Sequence, residues 1–172
     1  MSFIDKILKN KQNNNKNKAL HHGEIFELWA HLVSRYDVLK KTQILFSYAH
    51  DPDFKMIISE GLDILESQID ELEDIFKEYS IPLPDRPPAD VTSSSSSNPL
   101  WSDQMIYREI LNGMSQFLDT HVRTFKFLWN DELRPVIVRF LKKEVDLYDD
   151  LMKYGKLKGW LNMPPKPEKS NN

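Results

Sequence analysis

The sequence predicts an all-α protein, an antiparallel four-helix bundle with a long crossover between its second and third helices. Three observations predict it. Apolar residues recur at threes and fours along four segments of about 25 to 30 residues each, which is the helical period. A block rich in proline and serine divides these segments into two pairs. Strand-like alternation is absent over any useful length. Between the first two segments the connection is too short for anything but an antiparallel hairpin, and the single long connection is what a crossover along a bundle requires.

Residues 1–18 read as a disordered basic tail, because five lysines oppose one aspartate and Asn13, Asn14 and Asn15 carry no apolar period. Phe3, Ile4, Ile7 and Leu8 have the spacing of one short amphipathic turn able to dock on a partner or a lipid surface. The folded domain is expected over 19–165. Its first helix runs from Leu20 to His50, with Ile25, Leu28, Trp29, Leu32, Tyr36, Leu39 and Phe46 as its apolar set. Asp51-Pro52 stops it and starts the second helix, since Asp is a favoured N-cap and Pro is tolerated at the first helical position. The second helix, to about Tyr79, puts Phe54, Ile58, Leu65, Ile69, Leu72 and Phe76 on one face. Glu60, Asp63, Glu66, Asp70, Glu71, Glu73 and Asp74 read as its solvated side.

The crossover, residues 80–101, holds five of the ten prolines and the run Ser93 to Ser97, so neither helix nor central strand fits. Ser102 caps a third helix to about Trp129, with Tyr107, Ile110, Leu111, Met114, Phe117, Leu118, Phe125 and Leu128 inward. Asn130-Asp131 with Pro135 marks either a break and restart or a kink. The fourth helix turns Leu133, Ile137, Phe140, Leu141, Tyr148 and Leu151 inward and ends near Gly155 or Gly159. Residues 159–165 read as an ordered cap, and 166–172 as a polar tail. Trp29, Trp101, Trp129 and Trp160 read as packing and cap residues.

Certain polar residues fall on the apolar faces. His121 and Glu144 lie at the centres of the third and fourth arcs, and Gln68 lies inside the second. On the first helix Gln43 is central, and Glu24, His31 and Arg35 form a stripe at the arc's edge. A buried carboxylate costs several kcal/mol unless neutralised, paired or bound to metal. In the single-crossover arrangement Gln68, Arg35 and Glu144 stand at nearly one height, with His121 and His31 about one turn below. Two accounts follow. One is a buried polar cluster of Glu144, His121, Gln68, Arg35 and His31, in which Arg35 or a histidine neutralises Glu144. The other is a metal or small-ligand centre of Glu144, His121, His31 and Glu27, holding iron, manganese or zinc.

The spacing speaks against an active di-iron site. Such bundles need Glu-x-x-His pairs on two helices, and here the second and fourth helices contain no histidine. Glu27 and His31 stand four apart. His21 and His22 are adjacent and cannot share a face, and His50 is a helix-end residue. Nucleophile-elbow and Gly-rich phosphate-loop motifs are missing. No cysteine is present, which excludes disulfides, thiolate metal sites and cysteine nucleophiles. A net charge of -3 offers nucleic acid no basic footprint. Neither a span of the roughly 18 to 20 apolar residues a membrane requires nor a secretory signal is apparent, so a cytoplasmic protein is expected.

Three stretches carry a resemblance: Glu24-Ile25 with Leu28-Trp29, Ile81-Pro82-Leu83-Pro84 with Asp90-Val91, and Gly159-Trp160-Leu161 with Pro164-Pro165. In order and spacing they resemble a family of small ferritin-like proteins of endospore-forming bacteria, related to spore coat protein F, over about residues 19–166. The resemblance implies a ferritin-like bundle and an association with sporulation, not a defined reaction. Many relatives carry the module twice, and this chain carries it once. Relatives often have histidine where Gln68 stands, which weakens any metal site, and a Ser or Thr cap where His21 stands. The functional expectation is a non-catalytic structural or interaction protein of the spore, made in the sporulating cell and deposited on the coat. Its partners would be coat proteins and a second copy of itself, without a cofactor. The alternative is a ferritin-like metal-binding protein.

Overall fold

Capping chemistry sets where each helix begins. The computed structural model describes residues 19–88 and 101–165, which form α1 (His22–Tyr48), α2 (Pro52–Glu78), α3 (Asp103–Phe127) and α4 (Arg134–Lys158). At α1, His21 takes the cap position and its N–H donates to the Glu24 carboxylate at 2.9 Å. The Asp51 carboxylate accepts the Phe54 N–H at 3.0 Å, with Pro52 in the first turn of α2. Ser102 accepts from the Met105 N–H at 3.3 Å to open α3. Between α3 and α4 the Asn130 side chain accepts the N–H groups of Glu132 and Leu133 at 2.8 and 3.1 Å, so the chain breaks and restarts rather than kinking.

The close of α4 is set by Gly159 at φ +69°, a left-handed conformation that glycine adopts without strain. Trp160 N–H then reaches back to the Gly155 carbonyl at 2.9 Å, and Gly159 N–H to Lys156 at 3.3 Å. Arg108 holds the segment that follows, donating to the Trp160 carbonyl at 3.3 Å and the Asn162 side chain at 2.7 Å. The Gly-Trp close is thus an ordered cap, with Trp160 against Phe54, Tyr107 and Tyr154.

Contacts at the helix ends fix the topology. Asn130 donates to the Tyr79 hydroxyl at 3.2 Å, which brings the C-terminal ends of α2 and α3 together. At the other end the Asp103 carboxylate accepts the N–H groups of His50 and Asp51, and Asp51 pairs with Lys158 at 2.6 Å. So α2 and α3 run parallel, with α1 and α4 opposed to them. The connection between α2 and α3 must return along the bundle, roughly 40 Å for a helix of this length. Its first part lies back on the bundle: Ile81 is buried, Arg86 pairs with Asp70 and Glu73, and Lys40 donates to the Pro88 carbonyl at 3.1 Å. Glu73 is therefore half-buried, accepting from the Tyr36 hydroxyl at 2.8 Å, and not part of the solvated acidic face. The serine run, Asp90-Val91 and the tails lie outside the described residues.

Two apolar clusters fill the bundle. One gathers Leu28, Leu32, Leu39, Leu65, Ile69, Leu72, Phe76, Ile137 and Phe140. The other gathers Leu45, Phe54, Ile58, Ile106, Tyr107, Leu111 and Leu151, with Trp160 against it. On α3 and α4 the residues separating them are Phe117, His121 and Glu144. The inward set of α2 is as the period predicts. On α1 it is not: Trp29 is exposed and Gln43 half-buried, while Glu24, His31 and Arg35 are buried. Trp129 is exposed as well.

Candidate functional site

The site is the polar layer between the two apolar clusters. Arg35 on α1 is buried, and one terminal nitrogen of its guanidinium donates to both His121 Nε2 at 2.7 Å and Glu144 Oε2 at 3.2 Å. Those acceptors are 3.6 Å apart, too far to bond each other directly. The guanidinium carbon stands 3.9 Å from the centre of the Phe117 ring, a cation–π contact. Arg35 therefore sits at the junction of α1, α3 and α4, bridging the imidazole and the carboxylate.

Hydrogen-bond arithmetic assigns both histidine tautomers. Thr124 donates its only hydroxyl hydrogen to the Thr120 carbonyl at 3.0 Å, so its oxygen must accept from His31 Nδ1–H at 2.9 Å. His31 Nε2 is then bare, and it has no hydrogen-bond partner. His121 accepts at Nε2, so its proton is on Nδ1, which also has no partner. The two rings lie 4.9 Å apart. Arg35 Nε is a further unpartnered buried atom of this layer.

Electrostatics agree with neutral rings around one ion pair. Burial, with Arg35, His121 and Arg123 near, holds His31 well below the ordinary histidine range. Burial also lowers His121, and Arg35 adds to that against the opposing pull of Glu144. For Glu144, burial pushes the carboxyl up, but the Arg35 guanidinium works against that and the carboxyl stays below the usual carboxylate value. The sign of the resulting pH dependence is definite. A folded state that keeps its histidines neutral cedes protons to the unfolded chain, so stability is full above about pH 6.5 and falls as the pH drops. Each histidine still neutral at pH 5 removes up to about 2 kcal/mol between those values. Melting curves at pH 7 and 5 should show this decline, and His31→Gln should flatten it. Equal melting temperatures at the two pH values would contradict the neutral assignment.

The remaining residues lie elsewhere. Glu27 accepts from Arg123 at 2.9 Å, on a guanidinium that is half exposed. Gln68 is buried at a cleft of about 390 Å³ between α2 and α4, rimmed by Asp63, Glu71, Arg139 and Lys143, with Arg139 paired to Glu71. Sequence reasoning missed Thr124, which sits three residues after His121 and so shares its face, and the Phe117 ring as a seat for Arg35. It also missed the task of Glu24, whose carboxylate accepts the N–H groups of Trp129 and Asn130, each at 2.8 Å. Burial pushes the Glu24 carboxyl up, but the N–H groups of His21, Trp129 and Asn130 outweigh it and lower it. Glu24 thus ties the start of α1 to the α3–α4 turn.

Chemically the layer suits cohesion more than turnover. Its one cation is fixed by two acceptors and an aromatic face, and its carboxylate is already neutralised. Iron, manganese or zinc does not fit here without displacing Arg35, because the guanidinium bridges the imidazole and carboxylate a metal would need. Among the described residues no three His, Asp or Glu side chains are grouped to hold a metal. No helix among them is long and apolar enough to cross a membrane.

Comparison with known proteins places this architecture. The structure is similar to that of a protein from Bacillus halodurans C-125 described as a "putative spore coat protein", with TM-score 0.82, 22% identity, and coverage of 91% of this chain and 100% of that one. A conserved hypothetical protein, Rv2844 of Mycobacterium tuberculosis, has the same fold at TM-score 0.66 and 10% identity, over 79% of this chain and 99% of that one. At these identities the likeness establishes the fold. The uncharacterized protein YvdQ of Bacillus subtilis strain 168 is 26% identical over 86 residues, 50% of this chain. The chain spans about half, 51%, of that relative's length. The sequence profile of the DUF3231 family, proteins of unknown function, matches residues 9–172, and the chain belongs to that family.

Proposed function

We propose that this protein is a non-catalytic structural or interaction component associated with the bacterial spore, deposited on the coat after synthesis in the sporulating cell. The observation that carries the non-catalytic part is the position of Arg35. It neutralises Glu144 and occupies His121 Nε2 from inside the bundle, so the buried acid and imidazole each have a partner within the protein. The spore association is supported by the B. halodurans neighbour and by the motif resemblance over 19–166. Such a protein works through its surface, with coat proteins and a second copy of itself as partners. Quantitative proteomics of purified spores against vegetative cells tests the assignment. Enrichment in the spore fraction, with altered spore assembly or germination on deletion of the gene, is the expected result. Absence from spores, with unchanged assembly and germination, would remove the coat reading.

A further inference from the structure

The outer side of α1 differs from that of the other helices. Apolar residues continue round it as Phe26, Trp29, Val33 and Ile44, opposite the inward Leu28, Leu32 and Leu39. Phe127 and Trp129 stand at the same end of the bundle. Phe26 is 64% exposed, Trp29 42%, Phe127 52% and Trp129 73%. Trp129 is fixed beside the start of α1, its N–H on Glu24 and its ring edge-to-face with His21 at 5.5 Å. Four large exposed aromatics at one end of the bundle mark an interface.

Area and pattern identify what covers it. At roughly 200 Å² per aromatic side chain, the exposed parts of these four offer about 450 Å² of apolar surface. That is more than half of the roughly 800 Å² each partner contributes to a standard interface. The pattern on α1 is also complementary to itself. Set two copies antiparallel about a two-fold axis between Trp29 and Ala30, and Phe26 meets the partner's Val33 while Trp29 meets the partner's Ala30. His22 meets the partner's Asp37, an imidazole donor against a carboxylate, with both residues exposed. The other charged residues of this stretch, Glu24, Glu27 and Arg35, are buried in their own bundle, so no like charges are brought together.

We propose that the outer face of α1, rimmed by Phe127 and Trp129, is the two-fold interface of a homodimer in which the α1 helices pack antiparallel. This rests on the interaction-protein reading above and names its first partner. Light scattering after size exclusion of the full chain at micromolar concentration should give twice the 20.3 kDa chain mass. The Phe26→Glu/Trp29→Glu variant should run at the single mass with its helical circular dichroism intact. Because the chain has no cysteine, an introduced one is unique. Ala30→Cys, beside the axis, should oxidise to a linked dimer. Ile44→Cys, on the same face but about 21 Å further along the helix, should not. A dimer that survives the double substitution, or that links as readily through Ile44→Cys, overturns this surface and leaves self-association standing. A monomeric parent overturns both.

Discussion

Replacing Arg35 by alanine is expected to lower stability by about 3 to 5 kcal/mol, because it strips the partner from a buried charge. Glu144 would be left as an uncompensated carboxylate, His121 Nε2 would lose its donor, and the Phe117 ring would lose the cation over its face. For a chain of this size the melting temperature should drop on the order of 10 °C. Glu144→Gln takes the counter-charge from a buried Arg35 but keeps the shape and an acceptor oxygen for it, so its cost should be the smaller of the two. Arg35 would still hold His121 and Phe117. Thermal melts of both variants at pH 7 decide it. If Glu144→Gln costs as much as Arg35→Ala, the arginine is not the organising group of the layer.

Gly155→Ala should be nearly as damaging, although alanine is the better helix former by about 1 kcal/mol. A Cβ at position 155 would stand 1.8 Å from the Tyr107 hydroxyl oxygen and 2.1 Å from the ring carbon that bears it. Tyr107 is fully buried between Phe54 and Trp160, so its ring cannot step aside without disturbing the second apolar cluster. Overpacking of this kind costs about 1 to 3 kcal/mol and occasionally more. Tyr107→Phe should not rescue it, because the ring carbon itself is too close. Tyr107→Leu in the Gly155→Ala background should recover part of the loss, as measured by the midpoint of denaturant unfolding. An unchanged midpoint in Gly155→Ala alone would show that α3 and α4 are not in this close register.

The fold was legible because each boundary has a local chemical cause that a sequence displays: Asp51-Pro52, Ser102, Asn130 before Pro135, and Gly159. The inward faces of α2 and α4 were legible for a related reason. Each helix has one apolar side, so the centre of its arc is well defined. α1 has two. Trp29, on its outer side, draws the arc outward, and an arc so drawn puts Gln43 at the centre and Arg35 at the edge. The structure has Arg35 buried and Trp29 exposed. Which side of such a helix faces its own bundle depends on what the other helices present. The need of Glu144 for a cation shows on its own helix, but the donor comes from 109 residues away. Gly155 read as a possible helix end, but it lies inside α4, and its requirement is set by Tyr107 on another helix.

Arg35 bridges Glu144 and His121, so the two are expected to serve the bundle and not to hold a metal. Metal analysis tests it most directly, on the full chain purified without a histidine tag and loaded anaerobically with iron, manganese or zinc. Less than about a tenth of an equivalent of each and an unchanged melting temperature are expected, because a ligand that binds the native state would raise it. About one equivalent of metal, lost together with its added stability in Glu144→Gln, would contradict it.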